Sequence, residues 1–198
     1  MTSRSATTGG PADEELIRRV VAGDGAAFGT IVLRHQDRLY NTVYRLVGSA
    51  DDARDLVQET FVKAYENLDG FRSSSSLYTW LFRIAVNTSL SHRRKRKWLH
   101  VGGTTGADGD SLTAAEIPDA AAADPADPLM AAETDEIVQQ ALDGLDEEQR
   151  TVVVLRDIQQ CDYHEIAQIL GVPPGTVKSR LHRARLALRG KLTRLLKK

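Results

Sequence analysis

Apolar residues recur at three- and four-residue intervals along most of this chain and rarely alternate, a pattern that predicts helices rather than sheet. From Asp13, the residues Leu16, Ile17, Val20 and Val21 follow helical spacing. After Gly23-Asp24-Gly25 the pattern continues with Phe28, Ile31, Val32, Leu39, Val43, Leu46 and Val47, giving two packed helices. A third helix is expected from Ser49, an N-cap with Asp52 three residues on. Its buried stripe would be Leu56, Thr60, Phe61, Ala64 and Tyr65, with Asp55, Glu59 and Glu66 on the other face, and it ends near Leu68-Asp69-Gly70. Beyond the serine run 73–76, a fourth helix runs from Leu77 to about His92, extended by Arg93, Arg94, Lys95, Arg96 and Lys97.

The pattern then lapses. Residues 99–128 are dominated by Gly, Ala, Asp and Thr with Pro118, Pro125 and Pro128, too few large apolar side chains to bury a core. Helical periodicity resumes at Ile137, Val138 and Leu142 and runs through Val152, Val153, Val154, Leu155, Ile158, Ile166, Ile169, Leu170, Val177, Leu181, Leu186 and Leu188. The expectation is an all-α chain: a disordered tail over 1–12, a four-helix domain over 13–97, a flexible acidic linker over 98–136 and a second small helical domain over 137–198.

Charge sharpens this division. The total is bland, 26 basic residues against 27 acidic, but residues 1–97 carry net +4, residues 98–149 net −13 with no Lys or Arg, and residues 150–198 net +8. A basic block gains affinity for DNA by releasing counterions, whereas an acidic one is repelled, so the ends and the middle should have different partners. The one cysteine, Cys161, has no intramolecular disulfide partner, and the five histidines show no zinc spacing. No apolar run approaches the roughly 20 residues of a membrane span, and Met1–Pro11 lacks the apolar stretch of a signal peptide, which is the pattern of a cytoplasmic protein.

The most specific local pattern lies near the C-terminus. Tyr163-His-Glu-Ile-Ala-Gln-Ile-Leu170 reads as a short amphipathic helix, Gly171-Val172 as a tight turn, Pro173-Pro174-Gly175 as a break, and Thr176 to about Leu188 as a second helix. Val177, Leu181, Ala184 and Leu188 share one face of it, leaving Lys178, Ser179, His182, Arg183 and Arg185 to project. This is a helix-turn-helix pattern, and from Pro174 onward nine Lys/Arg stand with no acid. A solvated basic helix would show the charge but not the coincidence of turn, buried alternation and one-sided cations.

Three segments carry a resemblance over nearly the whole chain outside tail and linker. Asp51-Asp-Ala-Arg-Asp-Leu-Val-Gln-Glu-Thr-Phe-Val-Lys-Ala-Tyr65, Tyr78-Thr-Trp-Leu-Phe-Arg-Ile-Ala-Val-Asn-Thr88 and Gly175-Thr-Val-Lys-Ser-Arg-Leu-His-Arg-Ala-Arg185 resemble, in order, regions 2.2, 2.3 to 2.4 and 4.2 of extracytoplasmic-function sigma factors of the sigma-70 family. The resemblance implies a region 2 domain over 13–97 that binds core RNA polymerase and the minus-10 element. It implies a region 4 domain over 137–198 that binds the minus-35 element and the polymerase β flap.

Carried over residue by residue, Asp55, Gln58 and Glu59 are implied contacts to the β′ clamp, although a solvated acidic face has the same pattern. Phe71, Arg72, Ser73, Tyr78, Trp80, Arg83 and Asn87 are implied minus-10 contacts, where flipped bases meet aromatic faces and cations; the same aromatics also suit a core. The serine run is less distinctive than the loops usual in the family. Arg93, Arg94, Lys95, Arg96 and Lys97 would follow the DNA backbone. Thr176, Lys178, Ser179, His182, Arg183 and Arg185 would contact minus-35 DNA. In the family the linker threads the polymerase cleft, so neutralising Asp108, Asp110, Asp119 and Asp124 should weaken holoenzyme formation or alter abortive synthesis; a charged spacer is the simpler use of the same residues.

Other classes find less support. An enzyme needs a catalytic set, and His35, His92, His100, His164 and His182 are scattered, with no glycine-rich nucleotide turn; no catalytic residue, metal site or cofactor is expected. A conventional helix-turn-helix regulator is the alternative, binding DNA without a sigma role. An anti-sigma protein is a family-level expectation as partner, and neither membrane insertion nor obligate homo-oligomerisation is expected.

Overall fold

The structure is a computed structural model that describes residues 12–71, 75–102 and 128–197, with the backbone alone for 100–102 and 128–132. Among these residues the regular elements are all helical. The chain belongs to the all-α class in two small units.

The first unit is built by α1 (Asp13–Val21), α2 (Gly25–Val47), α3 (Ala50–Glu66) and α4 (Leu77–Gly102). Their boundaries follow from local chemistry. Acidic Asp13, Glu14 and Glu15 occupy the first turn of α1, where free N–H groups favour negative charge. Asp24 caps α2 by accepting from the Ala26 and Ala27 amides, and the Arg19 guanidinium bonded to it holds its carboxyl below the usual range. Gly48 ends α2 in the left-handed conformation, φ 77°, which a side chain would resist. Ser49 then caps α3 by accepting from Asp52 N. A 3-10 turn, Leu68–Gly70, leads toward α4.

The inward stripes are continuous. Leu16 and Val20 of α1 meet Ile31, Leu39, Val43 and Leu46 of α2, Ala53, Leu56, Phe61 and Ala64 of α3, and Leu81, Phe82, Ala85 and Val86 of α4, all buried. Each large side chain removed from water contributes about 1.5–3 kcal/mol, so this stripe dominates the unit's stability. Thr42, Thr60 and Ser89 lie inside it and are satisfied by donating to the carbonyls of Arg38, Leu56 and Ala85 four residues back. Tyr65, expected in the stripe, is half-exposed instead; its ring lies against Phe28 at 5.0 Å, on the rim of the core.

The second unit comprises α5 (Pro128–Asp143), α6 (Glu147–Val153), a π-helical turn (Val154–Ile158), α7 (Tyr163–Leu170) and α8 (Pro174–Leu195). Ala141, Leu142, Leu145, Val152, Val153, Val154, Leu155, Ile166, Ile169, Val177, Leu181 and Ala184 form its core. Leu186, counted with the apolar pattern, is exposed. Two boundaries differ from sequence expectation. The basic helix α4 continues past Lys97 to Gly102, and α5 starts at Pro128 rather than near Ile137. Pro174 begins α8 instead of only breaking the chain, because proline's fixed φ and missing N–H suit a helix's first turn.

The two units touch. α7 packs along α4, and the π-helical turn and α5 pack against α2.

Candidate nucleic-acid interface

The helix-turn-helix is assembled from α7 and α8. Asp162 accepts from the His164 and Glu165 amides while the Glu165 carboxylate accepts from Asp162 N–H, a reciprocal capping box that fixes where α7 begins. Gly171 closes α7 at φ 66°, a left-handed turn that lets the chain reverse within three residues. In α8, Val177, Leu181 and Ala184 are buried, and Lys178, Ser179, His182, Arg183 and Arg185 are exposed; Thr176 is half-buried at the start. The projecting face is therefore the one the sequence pattern predicts.

Two of its cations are held by neighbours. Arg185 pairs with Asp157, Nε standing 3.1 Å from Oδ2. Lys178 Nζ lies 5.7 Å from the centre of the Tyr163 ring, whose other neighbour is the Arg156 guanidinium at 5.1 Å. Tyr163 was not legible as a contributor, since nothing in its spacing separates it from an ordinary helix-start aromatic.

On the first unit the candidate residues divide among three places. Asp55, Gln58 and Glu59 are exposed together on α3, with Val62, also exposed, one turn on. Glu59 pairs with Lys63. Trp80, Arg83 and Asn87 share one face of α4 at intervals of three and four; Arg83 and Asn87 are exposed and Trp80 half-buried. Phe71 meets the Trp80 ring edge-on at 5.3 Å and lines a shallow hollow of about 210 Å³ with Glu14, Ile17 and Arg18. Arg72 and Ser73 lie outside the described residues, as do Asp108, Asp110, Asp119 and Asp124 and most of the tail.

Tyr78 stands apart from that group. It is two residues from Trp80, hence on the far side of the helix, where its ring lies tilted against Phe82, centroids 4.1 Å apart. Its hydroxyl accepts from Arg38 at 2.9 Å and lies 3.5 Å from Cys161 Sγ in the second unit. Burial pushes the Tyr78 hydroxyl well above its ordinary pKa and raises that of the Cys161 thiol, which keeps both protonated at neutral pH. Of the basic cluster, Lys95 and Lys97 are exposed, Arg93 donates to the Leu46 carbonyl, Arg94 pairs with Glu147 at 3.0 Å, and Arg96 pairs with Asp52 at 3.0 Å.

Arg150 is a second residue the sequence reading missed. It lies among the largest fully buried side chains, at 1% exposure. The available signal was its place on α6 one turn before Val153 and Val154, a cation on an inward face.

The fold and this site define a class: an all-helical protein of two units, the second a helix-turn-helix with a one-sided basic recognition helix. Among the described residues no group of His, Cys, Asp and Glu could hold a metal ion, and no helix is long and apolar enough to cross a membrane. Comparison with known proteins makes the class specific. Residues 31–99 match the family model for sigma-70 region 2, and residues 135–188 match that for sigma-70 region 4. The ECF RNA polymerase sigma factor SigW of Bacillus subtilis is 36% identical over 178 residues, covering 89% of this chain and 94% of that protein. The ECF RNA polymerase sigma-E factor of Escherichia coli K12 is 37% identical over 192 residues, covering 94% and 97%. Among solved structures, the RpoE sigma factor of Bartonella quintana, in complex with the anti-sigma factor NepR, superposes with a TM-score of 0.63 at 31% identity over 84% of this chain and 96% of that one. CnrH, in complex with the cytosolic domain of CnrY, superposes with a TM-score of 0.67 at 27% identity over 92% and 98%.

The chain belongs to the sigma-70 family as an extracytoplasmic-function RNA polymerase sigma factor. Its function is transcription initiation, and the reading as a conventional helix-turn-helix regulator is not favoured, because the likeness to sigma factors runs through both units.

Proposed function

We propose that this sigma factor divides its work as follows. Residues 13–97 bind core RNA polymerase and the minus-10 element, residues 137–198 bind the minus-35 element and the β flap, and 98–136 connect them behind a tail over 1–12. Asp55, Gln58 and Glu59 meet the β′ clamp; their shared exposure on α3, an acidic patch with Val62 beside it, supports this. Phe71, Arg72, Ser73, Trp80, Arg83 and Asn87 handle the opened minus-10 strand, with the hollow beside Phe71 offering an apolar wall for an unstacked base. Lys95 and Lys97, with Arg93, Arg94 and Arg96 once released from their present partners, follow the backbone. Tyr78 joins the minus-10 contacts only when its own partners have let go.

The observation that carries the reading is the outward placement of Lys178, Ser179, His182 and Arg183 on α8 above a buried Val177–Leu181–Ala184 seam. A helix so presented fits a major groove, where long donors reach base acceptors and phosphates. The protein acts without catalysis, in the cytoplasm and not as an obligate homo-oligomer, and an anti-sigma protein restrains it, as NepR binds its partner in the Bartonella complex.

Run-off transcription with purified core polymerase on a genomic promoter library tests this directly. Transcripts that depend on the protein and share minus-10 and minus-35 elements are the expected result; duplex binding with no dependent transcript overturns the assignment. Charge reversal of Asp55 and Glu59 should weaken core binding by about 1–2 kcal/mol without changing DNA affinity, which a competition assay against the unmodified protein reads out. Affinity capture from its own cytoplasm across growth conditions, recovering no dedicated protein partner, would count against the anti-sigma restraint.

A further inference from the structure

The contact between the two units is built around a buried cation at the end of a helix. The last carbonyls of α2 lack partners within the helix and carry its negative dipole end. Arg150, from the second unit, reaches this end: Nη1 donates to the Leu46 carbonyl at 2.8 Å, and Nη2 donates to the Asp143 carbonyl at 2.7 Å. The Asp143 carboxylate stands 2.8 Å from Nη1 and also faces Gly48, where a Cβ would come within 3.0 Å of it. Arg93 of the first unit donates to the same Leu46 carbonyl.

A second contact flanks the first. Arg38 of α2 lies over the Tyr78 ring at 4.4 Å, donates to the Tyr78 hydroxyl, and donates to the Gln159 carbonyl of the second unit at 3.2 Å. Cys161, buried at 2% exposure, completes the cluster against Tyr78. Around the rim, Arg94 pairs with Glu147 and Arg45 with Asp135 and Gln139.

This arrangement conflicts with a promoter-bound one on size alone. Elements named minus-10 and minus-35 are centred roughly 25 base pairs apart, about 85 Å of duplex at 3.4 Å per pair. A compact chain of this length has a radius of gyration of only about 16 Å. The units cannot remain in contact and occupy both elements at once.

We propose that Arg150 is an interdomain latch, holding the free sigma factor closed through the C-terminal end of α2, so that core polymerase must pull the units apart before both can engage. The chemistry suits a contact that opens. A guanidinium left buried without partners is strongly unfavourable, but one that returns to water regains its hydration, so the latch is specific without being permanent. Closure also keeps Tyr78 and Arg94 occupied by the second unit. This latch rests on the assignment of the two units to separate promoter elements, and the test separates the two ideas.

The test uses the full chain, small-angle scattering and affinity for purified core polymerase. Arg150→Leu should enlarge the radius of gyration and tighten core binding about tenfold, because a closed population that cannot bind lowers apparent affinity by the open fraction. Should Arg150→Leu lose its cooperative melt, the paired rim change Asp135→Asn with Glu147→Gln decides, with about a threefold tightening expected. Folded variants that scatter and bind as the unmodified protein does overturn the latch, as does an unmodified chain already extended in solution. Opening without tighter binding overturns its regulatory meaning. If no form binds core polymerase, the polymerase assignment fails while scattering still decides whether Arg150 holds the units together.

Discussion

The two units present their functional side chains by different means. In the first, helices of 17 to 26 residues carry them, and periodicity alone sets which residues face out: Asp55, Gln58 and Glu59 are exposed because Leu56, Val57 and Thr60 between them are buried. In the second, the 22-residue α8 carries them, but it is seated on α6 and α7, which have only seven and eight residues and are too short to be stable on their own. Their placement depends on caps and side-chain contacts: Asp146 on Gln149 N, the Asp162–Glu165 box, Gly171, and the pairs that hold Lys178 and Arg185. The first unit should therefore be sensitive to lost apolar volume, and the second to single polar groups.

The largest effect that would break this contrast lies in the first core. Leu81→Ala, at a position with no exposure, should cost about 2–5 kcal/mol and lower the melting temperature sharply, measured by circular dichroism. A smaller loss from this change than from a single cap would reverse the comparison. Asp162→Ala removes one half of the capping box and should cost about 1 kcal/mol. Binding of a minus-35 duplex should weaken with it while core-polymerase affinity through α3 holds.

A pH effect belongs to the first unit. His35 is buried between α1 and α2, with Asp13 at 3.7 Å and Arg34 and Arg38 nearby. Burial holds its pKa below 6.5, with the two arginines adding to this and Asp13 opposing it. The unfolded chain thus takes up the proton first, so stability is fully present above pH 6.5 and falls as pH drops toward the folded-state pKa. Denaturant melts between pH 7.5 and 5 should show this slope, and His35→Phe should flatten it. The smallest expected effect is Tyr163→Leu, which removes the ring beside Lys178. Duplex affinity should fall by about 0.5–1 kcal/mol with little change in melting, a split that a purely structural role would not produce.

Much of this was legible along the chain. Ser49 as a cap, the Gly171 turn and the Val177–Leu181–Ala184 seam all follow from local geometry, where backbone groups need partners within a few residues. The end of α4 and the start of α5 were less so, since residues near a low-complexity stretch carry little apolar signal. Tyr65 belonged to the stripe by spacing but sits at its edge, because helix spacing gives direction and not depth.

The sequence by itself determined the helical class, the two-unit division of charge, the outward face of α8 and the acidic face of α3, each a consequence of periodicity and short-range capping. Only the tertiary structure decided that Tyr78 meets Cys161 of the second unit, and that Arg150 is buried against the end of α2. Those choices join residues 83 and 104 positions apart, and no local pattern encodes them. They depend on where one folded surface leaves a helix-end carbonyl with room for a further donor and another brings that donor to meet it.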